Sequence, residues 1–393
     1  MSEWKEYKVE DIISEISMGP FGSDVKKEVY TSFGIPILNG ANLQGFKLKE
    51  DSFGYVSEEK ANSLKKCNAY RGDIVVTHRG TLGQIVYIPN NSKFDRYVIS
   101  QSQFRFTCNN DIVRPDFLVY LFHTKEGQHK ILSNASQVGV PALARATTTF
   151  RQIKVKIPSL SVQTKITNIL SSLDDKIEVN RRINEQLEEL AGALFKSWFV
   201  DFEPFKDGEF VDSELGMIPK GWKVGTLGEL IEIKYGKDHK KLSDGNIPVF
   251  GSGGIMRYVD KSLYEGESVL IPRKGTLNNV MYVNRDFWTV DTMFFTKMKV
   301  KDIAIFVYSF LSKKDLASMN SGSAVPSMTV EILNRIPLVI PSNNVFEDFN
   351  RIVSSLFSQM DNNIKEITHL TTLRDTLLPK LMSGEIDVNE VEI

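Results

Sequence analysis

The chain has 393 residues, 41% hydrophobic and 25% charged, with a formal net charge of -1. That is core material for two or three domains. The N-terminal MSEWKEYKVEDI is too charged for a signal peptide, and no apolar run approaches the roughly 18 residues of a membrane span, so secretory and membrane classes are excluded and no membrane partner is expected. Cys67 and Cys108 stand alone. They offer neither a disulfide framework nor a metal cluster, the pattern of reduced thiols in a cytoplasmic protein. The near-neutral total hides a gradient. Residues 1–160 hold 21 Lys and Arg against 16 Asp and Glu, whereas 161–203 hold 5 against 8. A polyanion bound only at the basic regions fits this distribution, as does uneven surface charge of no consequence.

In chain order, a Gly-, Ser- and Asn-rich segment at 17–43 predicts loops with a short strand at 35–38. Strand-like runs follow at 73–77, 84–88 and 104–107, then a helix over 116–132. A loop holding Gly139 and Pro141 leads to a strand at 153–157. From Ser161, a candidate cap, a long helix is expected over 161–198. Its seam is Ile166, Leu170, Leu173, Ile177, Leu187, Ala191 and Leu194, with Asn180 and Asn184 on it. At 1.5 Å per residue this is a rod of roughly 55 Å.

From Trp222 the same order returns. YGKDHKKLSDGNIPVFGSGGI answers FGSDVKKEVYTSFGIPILNGANL, and EGESVLIPRKGTLNNVMYVN answers RGDIVVTHRGTLGQIVYIPN. The run 293–298 answers 104–107, QSQ at 101–103 aligns with VDT at 290–292, and 302–320 answers the first short helix. NSGSAVPSMT answers ASQVGVPALA. A second long helix is expected over 345–382, with Val353, Leu356, Met360, Asn363, Ile367 and Leu370 on its seam, an Asn344–Glu347 capping pair, and Pro379 bending or ending it. A duplication of about half the chain accounts for this. The expected architecture is α+β: two strand-rich domains at 1–160 and 204–343, joined by helical regions at 161–203 and 344–393. If the seams pair within the chain they form an antiparallel coiled coil with a pseudo-two-fold axis; the alternative is a dimerisation stalk.

Catalytic apparatus is missing. There is no GxxxxGK[ST] loop, no GxGxxG between strand and helix, no Asn-Pro dipeptide of the amino-methyltransferase motif, and no ligand spacing among His78, His123, His129, His239 and His369. The pattern is that of a binder. HRGTLG at 78–83 and PRKGTLNN at 272–279 place cations beside a Gly-Thr turn leaving a strand. Arg offers a planar fork for guanine edges or phosphates, Lys a point charge and Thr a hydroxyl. Candidate DNA-contacting residues are therefore Arg79, Thr81, Gln84, Gln101 and Gln103 in the first half, with Arg145 from the loop SQVGVPALARATT. In the second half they are Arg273, Lys274, Thr276, Asn278 and Asn279. The alternatives are ordinary hairpin turns and a structural loop before each helix.

LFKSWFVDFEPF at 194–205, SELGMIPKGWKVGTLGEL at 213–230 and LLPKLMSGEID at 377–387 resemble segments of one family, the specificity subunits of type I restriction-modification systems. The likeness covers essentially the whole chain. It implies a subunit without catalytic activity and with no cofactor of its own, in which each domain reads one half of a bipartite sequence in double-stranded DNA. It also implies two modification subunits on the helices, carrying S-adenosylmethionine for adenine methylation, and restriction subunits using ATP and Mg. The acidic face of Asp174, Asp175, Glu185, Glu188 and Glu189 is then a candidate landing site for the modification subunits. A coiled-coil adaptor with protein-binding domains is the competing class.

Overall fold

A computed structural model describes residues 4–22, 24–136, 139–319 and 327–388. It divides into two compact units. The first comprises the residues up to Glu178 together with those from Ile367 on; the second is Val179–Glu366. Each unit thus holds one strand-rich domain and a half of each long helix.

The first unit is built on an antiparallel four-stranded sheet, ordered Ile13–Met18, Gln103–Cys108, Asp73–Thr77 and Ile85–Tyr87. Side chains alternate across its faces. Ile74, Val76, Ile85, Phe104 and Phe106 join the core that faces the helices, whereas Val75 and Val86 join a separate core on the opposite face. Phe150, from the short helix Ala146–Arg151, centres the first core, within 5.1–5.2 Å of Phe104, Phe106 and Phe122. Burying a Phe side chain stabilises by about 1.5–3 kcal/mol. Arg105 lies on the other face of the central strand and pairs with Asp73 and Glu15.

The second unit repeats this plan. Its four-stranded sheet is ordered Ile231–Tyr235, Met293–Met298, Glu267–Pro272 and Met281–Asn284. Val269, Ile271 and Phe294 face the helical core; Leu270, Val283, Met293 and Phe295 face a second core closed by a three-stranded sheet. In both units a two-stranded ribbon precedes the long helix, Lys5–Lys8 with Lys154–Ile157 and Lys223–Thr226 with Pro337–Ile340. The duplication in the sequence is therefore a duplication of topology.

The long helices span Leu160–Phe199 and Asn343–Ser383. Within the second unit they run antiparallel: Asn180 bonds Glu366, Asn184 bonds Met360, and Phe195 packs near Phe349. Within the first, Val162, Ile166 and Leu170 share a core with Leu378, Leu381 and Met382, and Arg374 reaches Asp174. Of the seam positions, Ile166, Leu170, Ile177 and Val353 are buried, while Leu173, Leu187, Leu356, Met360, Ile367 and Leu370 are half-buried.

Several element ends differ from expectation. The first long helix is capped at Ser159 rather than Ser161, since Gln163 N–H donates to the Ser159 carbonyl. The second begins at Asn343, with Val345 N–H donating to the Ser342 carbonyl, so Asn344 lies inside the helix rather than at its cap. Pro379 does not end it. Proline removes only one ladder bond here, in the last turn, and burial of Leu378, Leu381 and Met382 outweighs that loss. The helix stops at Ser383, where Gly384 takes φ +77°, a left-handed value that glycine adopts without strain. The helix over 116–132 is two helices, Pro115–His123 and Lys125–Leu132, because the Thr124 hydroxyl accepts from Gly127 N–H and starts a new one. Its counterpart stops at Ser312 instead of continuing toward Asn320, which lies outside the described residues.

Candidate nucleic-acid interface

In the first unit, strand Asp73–Thr77 runs out of the sheet into His78, Arg79 and Gly80. Gly80 has φ +90°, with open space where a Cβ would sit, so the turn needs glycine for its backbone rather than for room. Gly80 N–H donates to the Pro141 carbonyl and Leu143 N–H to that of His78, and Arg79 bridges Ala142. The two recurrent loops, separate in sequence, are thus knitted side by side. The second unit does the same: Lys274 bridges Ser327 and Met328 N–H donates to the Arg273 carbonyl. Residues 137–138 and 320–326 of the second pair of loops, Pro326 included, lie outside the described residues.

At these loop pairs Arg79, Thr81, Gln101 and Arg145 are exposed in the first unit, and Lys274 and Thr276 in the second. Arg145 occupies a left-handed conformation, φ +47°, at the start of helix Ala146–Arg151. Arg273 is half-buried, its guanidinium 5.4 Å from the centre of the Tyr235 ring and its Nη1 donating to the Asp291 carbonyl at 3.3 Å. His78 Nε2 lies 3.2 Å from the Gln101 carbonyl, and burial holds its pKa below the ordinary imidazole value.

Three candidates are turned inward, Gln84, Asn279 and Gln103, and a fourth, Asn278, is exposed but tied to its own domain. Gln84 accepts from the Thr77 hydroxyl and donates to the Gly40 carbonyl, both at 3.0 Å. Asn278 donates to Asp315 and accepts from Ala317 N–H, and Asn279 donates to the Ser252 carbonyl, so these amides tie loops together. Gln103 is 1% exposed. Its position in the sheet explains why. Gly19 N–H donates to the Gln103 carbonyl as Gly236 N–H donates to that of Met293, and His78 N–H reaches Ser102 as Arg273 N–H reaches Thr292. Gln103 therefore matches Met293, a fully buried residue, and QSQ aligns with DTM at 291–293, one residue on from VDT. The same equivalence pairs Gly236 with Gly19 and not with Gly22.

The structure also brings up residues that sequence patterning passed over. Asp238, His239 and Lys240 line a cleft of about 490 Å³ with Ser252, Met256, Asp291 and Thr292. Lys237, Lys240 and Lys241 are exposed, and beside them strand Gly254–Val259 shows Ile255, Met256 and Tyr258, Met256 at 61% exposure. In the first unit Phe21 is 83% exposed, on a turn whose Gly22 is packed against the Gln101 side chain. The clustered lysines of KYGKDHKK were the available signal; the aromatic and Met side chains had none. Cations interleaved with exposed apolar groups are what base edges, thymine methyls and phosphates call for. Among the described residues no group of three or more His, Cys, Asp and Glu is placed to hold a metal, and no helix is long and apolar enough to cross a membrane.

A family model described as the type I restriction modification DNA specificity domain matches residues 1–189 and 219–373. The chain belongs to this family. Among similar proteins is the type I restriction enzyme MjaIX specificity subunit of Methanocaldococcus jannaschii, 28% identical over 99% of this chain and 95% of that protein. The HindI specificity subunit of Haemophilus influenzae is 24% identical over 98% of this chain and all of its own length. The crystal structure of a type I S subunit from M. genitalium shares the fold, with a TM-score of 0.62 and 21% identity over 97% of this chain and 96% of that one. The specificity subunit recognises DNA sequence within a type I restriction-modification complex and is not its catalytic component.

The acidic residues on the long helices of this specificity subunit are mostly not free. Asp174 accepts from Tyr120 and Arg374, Asp175 pairs with Lys47, and Glu188 accepts from Tyr308. Only Glu185 and Glu189 of the expected acidic face are exposed and without such a bond to a recognition domain among the described contacts. Three carboxylates of that face, Asp174, Asp175 and Glu188, therefore hold recognition domains of their own chain, and four of the five residues, all but Asp174, are exposed.

Proposed function

We propose that each unit of the subunit reads one half of a bipartite target in double-stranded DNA, through the paired loops around Arg79 and Arg145 in one and around Arg273 and Lys274 in the other. The observation that carries this is the juxtaposition of the two recurrent loops, with exposed cations, at matching places in both units. Different loop chemistry on one scaffold is what two different half-sites require. The helices set the gap between half-sites and dock two modification subunits, which bring S-adenosylmethionine; restriction subunits bring ATP and Mg.

Methylation by the assembled complex on DNA duplexes with single-base changes in each half tests this reading. Arg79→Ala should weaken recognition of one half-site and Lys274→Ala that of the other, by about 1–3 kcal/mol where the contact is to a base. An equal loss on every sequence would assign that residue to phosphate, with a shallower salt dependence. No loss would remove it from the interface.

A further inference from the structure

Up to Leu170 the first long helix is held to its recognition domain by apolar packing. Beyond it a polar clasp takes over. The Tyr120 hydroxyl donates to Asp174 Oδ2 at 2.5 Å, and Arg374 Nη1 donates to Asp174 Oδ1 at 2.7 Å. The Arg374 guanidinium lies 5.0 Å from the centre of the Phe46 ring, which itself packs 4.6 Å from Tyr120. Lys47, next in the chain, pairs with Asp175. The Asp174 and Arg374 side chains are only 14% and 17% exposed, so solvent competes little with the bonds between them.

The second unit has a corresponding device. Tyr308 of helix Ala304–Ser312 stands where Tyr120 stands in helix Pro115–His123, and it too donates to a long-helix carboxylate, Glu188, at 2.6 Å. Asp361, the counterpart of Asp174 on the second long helix, pairs with Arg285. Tyr282 and Tyr308 close over Phe357 at 5.0 and 5.6 Å. The polar tie thus recurs at matching places on the long helices, with its partners exchanged, at the edge of the apolar cluster in each unit.

We propose that Tyr120, Asp174 and Arg374, and in the second unit Tyr308, Glu188, Arg285 and Asp361, are positioning residues. They fix the angle at which each recognition domain is carried on its helices, and so set how strictly the subunit discriminates the length of the gap between half-sites. This rests on the reading of the helices as the element that sets the gap. Apolar packing alone permits small sliding and tilt; bonds from two directions on one carboxylate do not. The lever arm makes the effect large enough to matter. Asp174 lies roughly 21 Å along the axis from the helix start. A slack of about 2 Å there is a tilt near 5°, and across a domain some 30 Å wide it moves the reading loops by about 3 Å. That is close to one base-pair step, about 3.4 Å.

The test uses the full chain assembled with its modification subunits, labelled S-adenosylmethionine, and duplexes carrying native half-sites at the native gap or at one base pair more or less. Tyr120→Phe, Arg374→Gln and Tyr308→Phe should each raise methylation at the altered gaps, relative to the native gap, by about 10-fold, the scale of one hydrogen bond to a charged group. A base change in either half-site should still block methylation in every variant. Variants that keep the wild-type gap preference, or that lose activity equally at all gaps, would overturn the inference while leaving the gap-setting helices intact. A wild-type complex indifferent to the gap would instead overturn the reading of the helices themselves, and the inference with it.

Discussion

At the scale of single residues, the first recognition domain carries polar side chains that are at least half-buried near the long helices. His123 is one of them. Its Nε2 lies 2.9 Å from the Ile85 carbonyl and its ring 4.3 Å from that of Phe46. Burial, reinforced by the Arg374 charge, holds its pKa below the ordinary imidazole value, and burial does the same to His78. With the folded value depressed, the unfolded chain takes up protons first as pH falls. The domain should then keep full stability above about pH 6.5 and lose it progressively as pH drops from there toward the folded-state values. Denaturant unfolding at pH 7.5 and 5.5 should show this slope, and His123→Gln should remove part of it, leaving the share of His78. An unchanged slope would mean that His123 is solvated. Gln103 shows what single residues hide in a sequence. Its polar type and its place beside an exposed Gln101 point outward, but its strand places it at a core position shared with Met293. In a strand a one-residue slip in alignment exchanges inside for outside.

At the scale of elements, periodicity made the long helices and central strands legible. Strands Asp73–Thr77 and Met293–Met298 have the expected bounds, and each long helix exceeds its expected span by only one or two residues at either end. What periodicity could not show was decided by side chains acting locally, such as the Thr124 hydroxyl that splits one helix into two, or by loops meeting across the fold, such as Arg79 with Ala142. The asparagines on the seam were legible as misfits, and their partners now give them a role. Asn363 Nδ2 donates to Asn184 Oδ1 at 2.7 Å while its own oxygen accepts from Gln359, and Asn184 Nδ2 donates to the Met360 carbonyl. Asn180, 1% exposed, donates to Glu366. Such a ladder matches only one register of the two helices. Asn363→Leu alone should destabilise by about 1–3 kcal/mol, because it strands the half-buried Asn184 side-chain oxygen. Asn184→Leu with Asn363→Leu should recover much of that loss in a double-mutant cycle, since a fully apolar contact replaces a broken polar one. Strictly additive losses would show that the two amides do not act as a pair.

At the scale of the whole molecule, the two units are copies of one design with different loops, and both long helices continue from one unit into the other. If those helices set the gap in the target, lengthening them should change the gap and nothing else. Four residues inserted in each helix, after Glu178 and after Glu366, add roughly 6 Å and turn the downstream part of each helix by about 40° beyond a full rotation. The seam survives such an insertion nearly in phase. On DNA, one base pair adds about 3.4 Å and, at about 10.5 base pairs per turn, a rotation near 34°; two add about 7 Å and nearly 70°. With the seam kept paired, the advance decides, and it fits one or two base pairs. The insertion variant should therefore methylate duplexes whose gap is one or two base pairs longer than the native gap, with both half-sites unchanged. Mapping methylated adenines genome-wide in cells carrying each version reads the two halves and the gap together. A variant that kept the native gap would separate the helices from the spacing, and one that changed a half-site would mean that helix length reaches into the reading loops themselves.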